Sequence, residues 1–515
     1  MKPRFSIVVS IAALSTLGIA SAAPQQGFRA ASDFWGNRFG AAPKVPAPNI
    51  GPSKKNHDAA ERIRHWNEMA FNASGLDHTP VQSGENRVFG EQVGPVRAAR
   101  ALAIVHIAIF EACNAIDKKC KSYVGIAEAK PETSMNCAIA QAAHDTLCAM
   151  WPSQVGKFDQ ELAGELAQEK GKKRALGIAL GKQCAAKVLA LRANDGSAFT
   201  ELRVNVPGGF TTSNAPGFWR QDPISQHPLA LGALWGQVQP FVLQSASQFR
   251  CPAPPALNSQ EYTDGYNEAM AIGGDGIVTP TTRTPEQTEI AIYWGYDGTP
   301  SLCAPPKLYN QITMHIADIM GTSKDPAQLA RLLALANVAM SEAGITSWES
   351  KWFYQYWRPI TAIRESDIGT GPTGFGDGNA DTAGDVNFTP LGAPASNLNG
   401  PNFTPPFPAY PSGHATFGGA LFQTLRNFYG RDDVEFEFTS DEFNGITKDN
   451  LGNIRDVIPR RFESFSQAED ENGQSRIYLG IHWAWDKNEG IAQGRKVANY
   501  VFEHAFQEKK KKKNR

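Results

Sequence analysis

A chain of 515 residues with 42% hydrophobic and 20% charged residues can bury a large core, which excludes wholesale disorder. Its formal net charge of −1 gives no general electrostatic case for nucleic acid or an anionic membrane. Eight basic residues sit in segments 1–22 and 509–515; without them the body holds 42 basic against 51 acidic residues, so a strongly basic pocket there is a local, built feature.

Residues 1–22 open with Lys2 and Arg4, run apolar from Phe5 to Leu14 and end in Ala20-Ser21-Ala22. That is the three-part pattern of a secretory signal peptide, so a secreted or periplasmic location is expected. No later stretch is uninterruptedly apolar for about 18 residues, so no integral membrane segment is expected after cleavage. Residues 23–55, rich in Pro, Gly and Ala, read as an extended lead-in. Helical periodicity starts at Ala59. Segment 96–117 is nearly all apolar and predicts a buried central helix, with His106 as a core histidine. Segments 136–151 and 156–195 continue as helices; 208–223 and 251–258 read as connections. Helices resume at 286–294, 306–320, 328–341 and 345–364. Segment 369–411 is a long Gly/Asn/Asp/Pro loop, of a length that is often functional. Its Asp377, Asn379, Asp381 and Asp385 loosely follow a calcium-loop spacing, but Thr382 replaces the required Gly, so a solvated loop is expected. Further helices are predicted at 416–428, 462–476 and 483–506.

Few alternating β-branched runs occur, so the fold class is all-α. The domain division is an N-terminal helical part over 56–260 and a C-terminal helical part over 261–508, with a basic, solvated tail at 509–515. The seven cysteines are odd in number and include no C-x-x-C, so no zinc site is expected. Export would allow one to three disulfides of open connectivity, with core cysteine as the default.

Three segments carry chemistry. In KWFYQYWRP, Lys351 and Arg358 are seven apart; on one helix both cations share a face about 10 Å apart along the axis. In PAYPSGHATFGGA, Ser412 is a natural N-cap, and Gly413 admits a ligand close to the backbone. Free N–H groups at that helix start bind anions, and His414 beside them can move a proton. In SRIYLGIHWAWD, Arg476 and His482 are six apart, off one face, and Gly480 predicts a break between them. Asp486, four past His482, can hold the imidazole through Nδ1–H and free Nε2 as nucleophile or metal ligand. Each segment alone has a bland reading: snorkelling cations, an ordinary cap or a surface histidine. Together they supply three cations, a hydroxyl, helix N–H groups and two histidines, a socket for a tetrahedral oxyanion.

K-x6-RP, PSGH and SR-x5-H-x3-D resemble the three signature segments of the superfamily joining vanadium-dependent haloperoxidases to type 2 phosphatidic acid phosphatases. On these motifs, which span about residues 345–490, the chain is identified as a chloroperoxidase-like member. The resemblance implies two four-helix-bundle halves with the site in the C-terminal one. It implies a vanadate cofactor, with phosphate able to occupy the same site. Vanadium would be bound by His482 Nε2, and the oxygens held by Lys351, Arg358, Arg476, Ser412 and the Gly413 backbone. His414 is implied as the acid–base group, and Lys351 as the group that polarises peroxide. The implied partners are hydrogen peroxide, a halide (bromide, with chloride in the chloroperoxidase-type subgroup) and a small organic acceptor; a homodimer is compatible with the sequence. Trp348 and Phe407 resemble the aromatic pair beside vanadate, and bromoperoxidases tend to carry a His at the Phe407 position. Asp297, in YWGYDG, resembles an Asp that bonds an oxyanion-binding Arg, here Arg476. Two alternatives stay open. One is an acid phosphatase in which His482 forms a phosphohistidine and His414 protonates the leaving alcohol. The other is a non-catalytic oxyanion binder. The long interval between His414 and Ser475 is expected to form an excursion near the pocket mouth.

Overall fold

The computed structural model describes residues 27–28, 30–40 and 58–510; the signal-peptide segment, most of the lead-in and the tip of the basic tail lie outside these. The chain runs through α1 (Ala31–Trp35), α2 (Ala59–Asp77), α3 (Pro95–Asp117), α4 (Met135–Met150), α5 (Val155–Leu166) and α6 (Gly171–Arg192). A two-residue ladder, β1 (Leu202–Arg203) with β2 (Leu229–Ala230), leads to α7 (Gln260–Ile272), α8 (Pro285–Tyr293) and α9 (Pro305–Ile319). Then come α10 (Pro326–Tyr354), α11 (Pro359–Glu365) and α12 (Gly413–Tyr429). An antiparallel hairpin, β3 (Phe436–Asn444) and β4 (Val457–Phe462), precedes α13 (Phe465–Tyr478) and α14 (Ala484–His504). The all-α class holds; the hairpin is the main addition to it.

Helix α3 is the central buried helix that its apolar sequence predicts. Among the described residues it is the one helix long and apolar enough to cross a membrane, and it lies inside the protein core. It packs against α4, α6 and α10, so the core of the N-terminal helices is continuous with that of the C-terminal ones. Helices α12 and α14 cross closely because Gly419, Gly490 and Gly494 stand at the contact. A Cβ at Gly494 would lie 2.2 Å from the Thr416 carbonyl oxygen.

Several local expectations are corrected. The predicted helix 156–195 is two helices, broken before Gly171, whose φ of 72° an L-residue side chain resists. The predicted helices 328–341 and 345–364 are redistributed. Helix α10 runs unbroken to Tyr354 from an Asp325 cap and Pro326, then ends at Gln355 in the left-handed region. Helix α7 lies where the pattern assigns nothing. Within the segment read as extended, α1 forms one helical turn and buries Phe34 and Trp35, Trp35 stacking on Phe89 with ring centroids 5.4 Å apart. All seven cysteines are free and six of them are buried, in line with core cysteine as the default reading. Asp377 is not solvated: it is buried and accepts hydrogen bonds from Tyr262, Thr382 and the Asn379 amide. His106 is the core histidine expected, with Asn310 Nδ2 at 3.4 Å. At the chain end, Lys509 pairs with Glu128, and its amide donates to the Lys119 carbonyl.

Candidate active site

The site is built where helices begin and end. Lys351 lies in the last turn of α10. Arg358 caps α11 in an extended conformation (φ −88°, ψ 156°), because a residue before proline is driven out of the helical region. Lys351 and Arg358 therefore do not share a helix face, which corrects the seven-residue argument. They meet through Phe407 instead: Lys351 Nζ lies 5.2 Å and Arg358 Cζ 5.1 Å from its ring centroid. Trp348, one turn before Lys351, packs on Phe407 at 4.7 Å and donates its indole N–H to the Leu231 carbonyl.

Ser412 caps α12 as expected, its hydroxyl accepting the Ala415 N–H at 3.4 Å; Gly413 and His414 are the first two helical residues. A Cβ at Gly413 would press on the Trp348 ring at 3.1 Å, so glycine keeps this backbone accessible. Arg476 lies in the last turn of α13. The chain then turns at Gly480 (φ 69°), the break its sequence predicts, and delivers His482 ahead of α14. His482 Nδ1 donates to Asp486 Oδ2 at 2.7 Å, and that oxygen also accepts the Trp483 N–H at the start of α14. The Ser412 amide donates to the Asp486 carbonyl, locking the two helix starts together.

These bonds fix both histidine tautomers. A guanidinium only donates, and Arg358 Nη1 lies 2.9 Å from His482 Nε2, so Nε2 is the lone-pair nitrogen and Nδ1 holds the proton. A carbonyl only accepts, and His414 Nε2 lies 2.7 Å from the Gly295 oxygen, so His414 carries its proton on Nε2 and leaves Nδ1 free to take one. Burial, reinforced by the neighbouring cations, holds both imidazoles well below their ordinary range. Burial and the Arg358 charge push Lys351 well below the usual amine range; burial brings Arg358 down to about 9 and raises Asp486 to about 7. Three cations crowded in a buried pocket disfavour one another, the imbalance that a bound anion relieves.

Lys351 places Nζ on the Pro408, Ala409 and Pro411 carbonyls, using all three donors. Arg476 Nη2 donates to Asp297 Oδ1 at 2.5 Å, the contact expected from the sequence. Among the described residues, Arg358 Nη2 and Arg476 Nε and Nη1 are buried with no hydrogen-bond partner. Buried guanidinium donors are costly to leave unpaired. Three of them beside a lone-pair imidazole nitrogen fit a multiply charged oxyanion such as vanadate or phosphate.

Sequence reasoning missed the supports. Tyr309 and Asn472 both donate to the His414 carbonyl, at 3.0 and 2.9 Å. The expected excursion is the β3–β4 hairpin. It braces the segment that carries Gly295 and Asp297: Glu442 accepts the Tyr296 N–H, and the Ser440 hydroxyl donates to the Tyr293 carbonyl. A cavity of about 30 Å³ adjoins the site. It is walled by Trp348, Phe407, Phe403 and Trp35, with His414 and His227 on its lining. His227 belongs to no motif and lies more than 120 residues before Lys351, so spacing gave no signal for it.

Residues 331–510 match the family model described as the VCPO second helical-bundle domain. The chain is 30% identical over 526 residues to the vanadium chloroperoxidase of Curvularia inaequalis, covering 87% of this chain and 82% of that protein. The chain belongs to the vanadium haloperoxidase family. Two solved bacterial structures share its fold. A vanadium-dependent iodoperoxidase aligns with a TM-score of 0.67 at 22% identity, over 90% of this chain and 100% of that one. A holo-type vanadium-dependent chloroperoxidase aligns with a TM-score of 0.60 at 16% identity, over 87% and 98%. Membership in this family accounts for the N-terminal helices as well as the motif-bearing half, since the matched relative spans both.

Proposed function

We propose that the protein is a vanadium-dependent haloperoxidase that oxidises bromide, and chloride, with hydrogen peroxide to hypohalous acid, which then halogenates a small organic acceptor. The observation that carries this reading is the set of three unpartnered guanidinium donors beside the Nε2 lone pair of His482. His482 Nε2, Arg358, Ser412, Gly413 and Arg476 would hold vanadate, and Lys351, whose three donors are taken by backbone carbonyls, would add its charge beside it. Bound there, vanadate supplies a Lewis acid that activates peroxide without itself changing oxidation state.

The chain's own residues do the rest. Asp486 fixes the His482 tautomer, and Asp297 aims Arg476. His414 takes and returns a proton at Nδ1 while the Gly295 carbonyl holds the other nitrogen. Lys351, stacked over Phe407, adds positive charge without surrendering its backbone bonds. Trp348 and Phe407 exclude water, which strengthens every charge interaction inside. Phe407 in place of histidine is the feature that favours chloride as a second halide. Segment 1–22 supports export, which N-terminal sequencing of the mature protein tests.

The test is turnover by metal-free protein with and without orthovanadate, in peroxide with bromide or chloride and monochlorodimedone as acceptor. Vanadate-dependent bleaching with either halide supports the reading. Hydrolysis of p-nitrophenyl phosphate, inhibited by vanadate and without any halogenation, would assign the pocket to phosphohistidine chemistry.

A further inference from the structure

Outside the oxyanion pocket, the α4–α5 hairpin brings together an imidazole, a thiol and a carboxylate. The ligand atoms of His144, Cys148 and Asp159 all lie within 4.8 Å of one another. His144 and Cys148 are four apart on α4 and so share one face. The short turn at Pro152–Gln154 folds α5 back and sets Asp159 opposite them. His144 Nε2 lies 2.9 Å from Asp159 Oδ1 and 3.4 Å from Cys148 Sγ. Its other nitrogen, Nδ1, lies 2.7 Å from Asp145 Oδ1, which also accepts the Gln141 amide at 2.7 Å.

We propose that His144 Nε2, the Cys148 thiolate and Asp159 Oδ1 form a zinc site, with Asp145 orienting the imidazole and water completing the tetrahedron. The donor set is one that Zn2+ accepts, and three protein ligands with one open position is a recurring arrangement. Tetrahedral zinc, with bonds of about 2.0–2.1 Å to N and O and about 2.3 Å to S, separates N from O by about 3.3 Å and N from S by about 3.6 Å. The two separations from His144 Nε2 are shorter than these by a few tenths of an ångström, and the Cys148–Asp159 pair lies within 4.8 Å, so small side-chain rotations admit the ion. Asp145 distinguishes this cluster from a chance meeting of polar groups. A carboxylate on Nδ1–H is the support that metal-bound histidines use, and it leaves Nε2 facing the other two ligands.

Access and chemistry agree. Cys148 is the one cysteine of the seven that is not buried, and the Asp159 side chain is 62% exposed, so the fourth position opens to solvent. Zinc would release the Nε2 and Sγ protons to solvent, because both ligands bind deprotonated. The absence of C-x-x-C hides the site from sequence spacing; H-x3-C on one helix is completed by an acid eleven residues beyond Cys148, across the turn.

The test is cobalt(II) titration of the full-length protein, followed by zinc displacement. Thiolate ligation gives a near-ultraviolet charge-transfer band, and tetrahedral coordination gives intense visible bands. One equivalent of cobalt producing both, with the charge-transfer band lost in Cys148→Ser, is the expected result. Asp145→Ala keeps the bands and weakens zinc binding about 10- to 100-fold. A protein that gives no charge-transfer band, or a band that survives in Cys148→Ser, overturns the site. If Cys148→Ser does not fold, Asp159→Asn at its exposed position carries the test: a loss of zinc affinity of about tenfold or more supports the site, and unchanged affinity overturns it.

Discussion

Arg476 and Arg358 bring different numbers of spare donors to the pocket, and the difference is measurable. Arg476 gives Nη2 to Asp297 and keeps Nε and Nη1 unpartnered. Arg358 spends Nε on the Phe407 carbonyl and Nη1 on the Ile481 carbonyl and His482, and keeps only Nη2. A hydrogen bond to a charged group contributes about 1.5–3 kcal/mol. Arg476→Met removes two such bonds to an oxyanion, about 3–6 kcal/mol, an affinity loss of about 10²- to 10⁴-fold; Arg358→Met removes one, about 10- to 100-fold. Calorimetric titration with inorganic phosphate reads both without requiring turnover. Arg476→Met also leaves buried Asp297 without its cation, so the double variant Arg476→Met/Asp297→Asn separates folding from binding. It should regain thermal stability and stay weak for phosphate. Greater weakening by Arg358→Met than by Arg476→Met, or full phosphate affinity in both, would refute the donor count.

The two histidines should separate by role: His482→Ala loses oxyanion affinity in the same titration, whereas His414→Ala keeps more of it and loses halogenation; intact activity in both contradicts the assignment. Burial holds His106 and His227 down to about 3, against about 6.5 in an unfolded chain. The unfolded chain then binds protons that the folded one does not between about pH 4 and 6, so these residues make stability rise with pH there, by about 1.4 kcal/mol per pH unit each. Glu91, Glu342 and Asp486, raised by burial to about 7, act with the opposite sign, because the folded form binds the extra proton. His106→Gln should lower the stability slope by one proton in denaturant unfolding across that window, and an unchanged slope contradicts its burial as a neutral ring. Gly494→Ala should destabilise by about 1–3 kcal/mol through overpacking at the α12–α14 crossing, read as a lower Tm; a neutral outcome means the helices are not in this contact.

The site was legible where local chemistry carries it. Ser412 caps its helix, Gly480 breaks one, Asp486 reaches His482 at i+4, and Asp297 finds Arg476, all from short-range pattern or a recognised motif. Helical periodicity alone misplaces Arg358 relative to Lys351, because Pro359 outweighs it. Glu442, Tyr309, Asn472 and Gly295 stayed hidden because they act on His414 or on Tyr296 across the fold, through partners 58 to 146 residues away in the chain. The hairpin was hidden because its strand β4 has a Pro and two Arg on a largely exposed ladder, a weak period-2 signal. Trp35 lines the active-site cavity from a Pro- and Gly-rich segment whose composition gives no helical signal.

Vanadate-dependent halogenation is tested most directly by titrating metal-free protein with orthovanadate, read as the rate of monochlorodimedone bromination in peroxide and bromide. The expected rate rises to a plateau at one vanadate per chain and falls when phosphate competes. A rate that ignores vanadate, or no bromination at any vanadate concentration in folded protein, would contradict it.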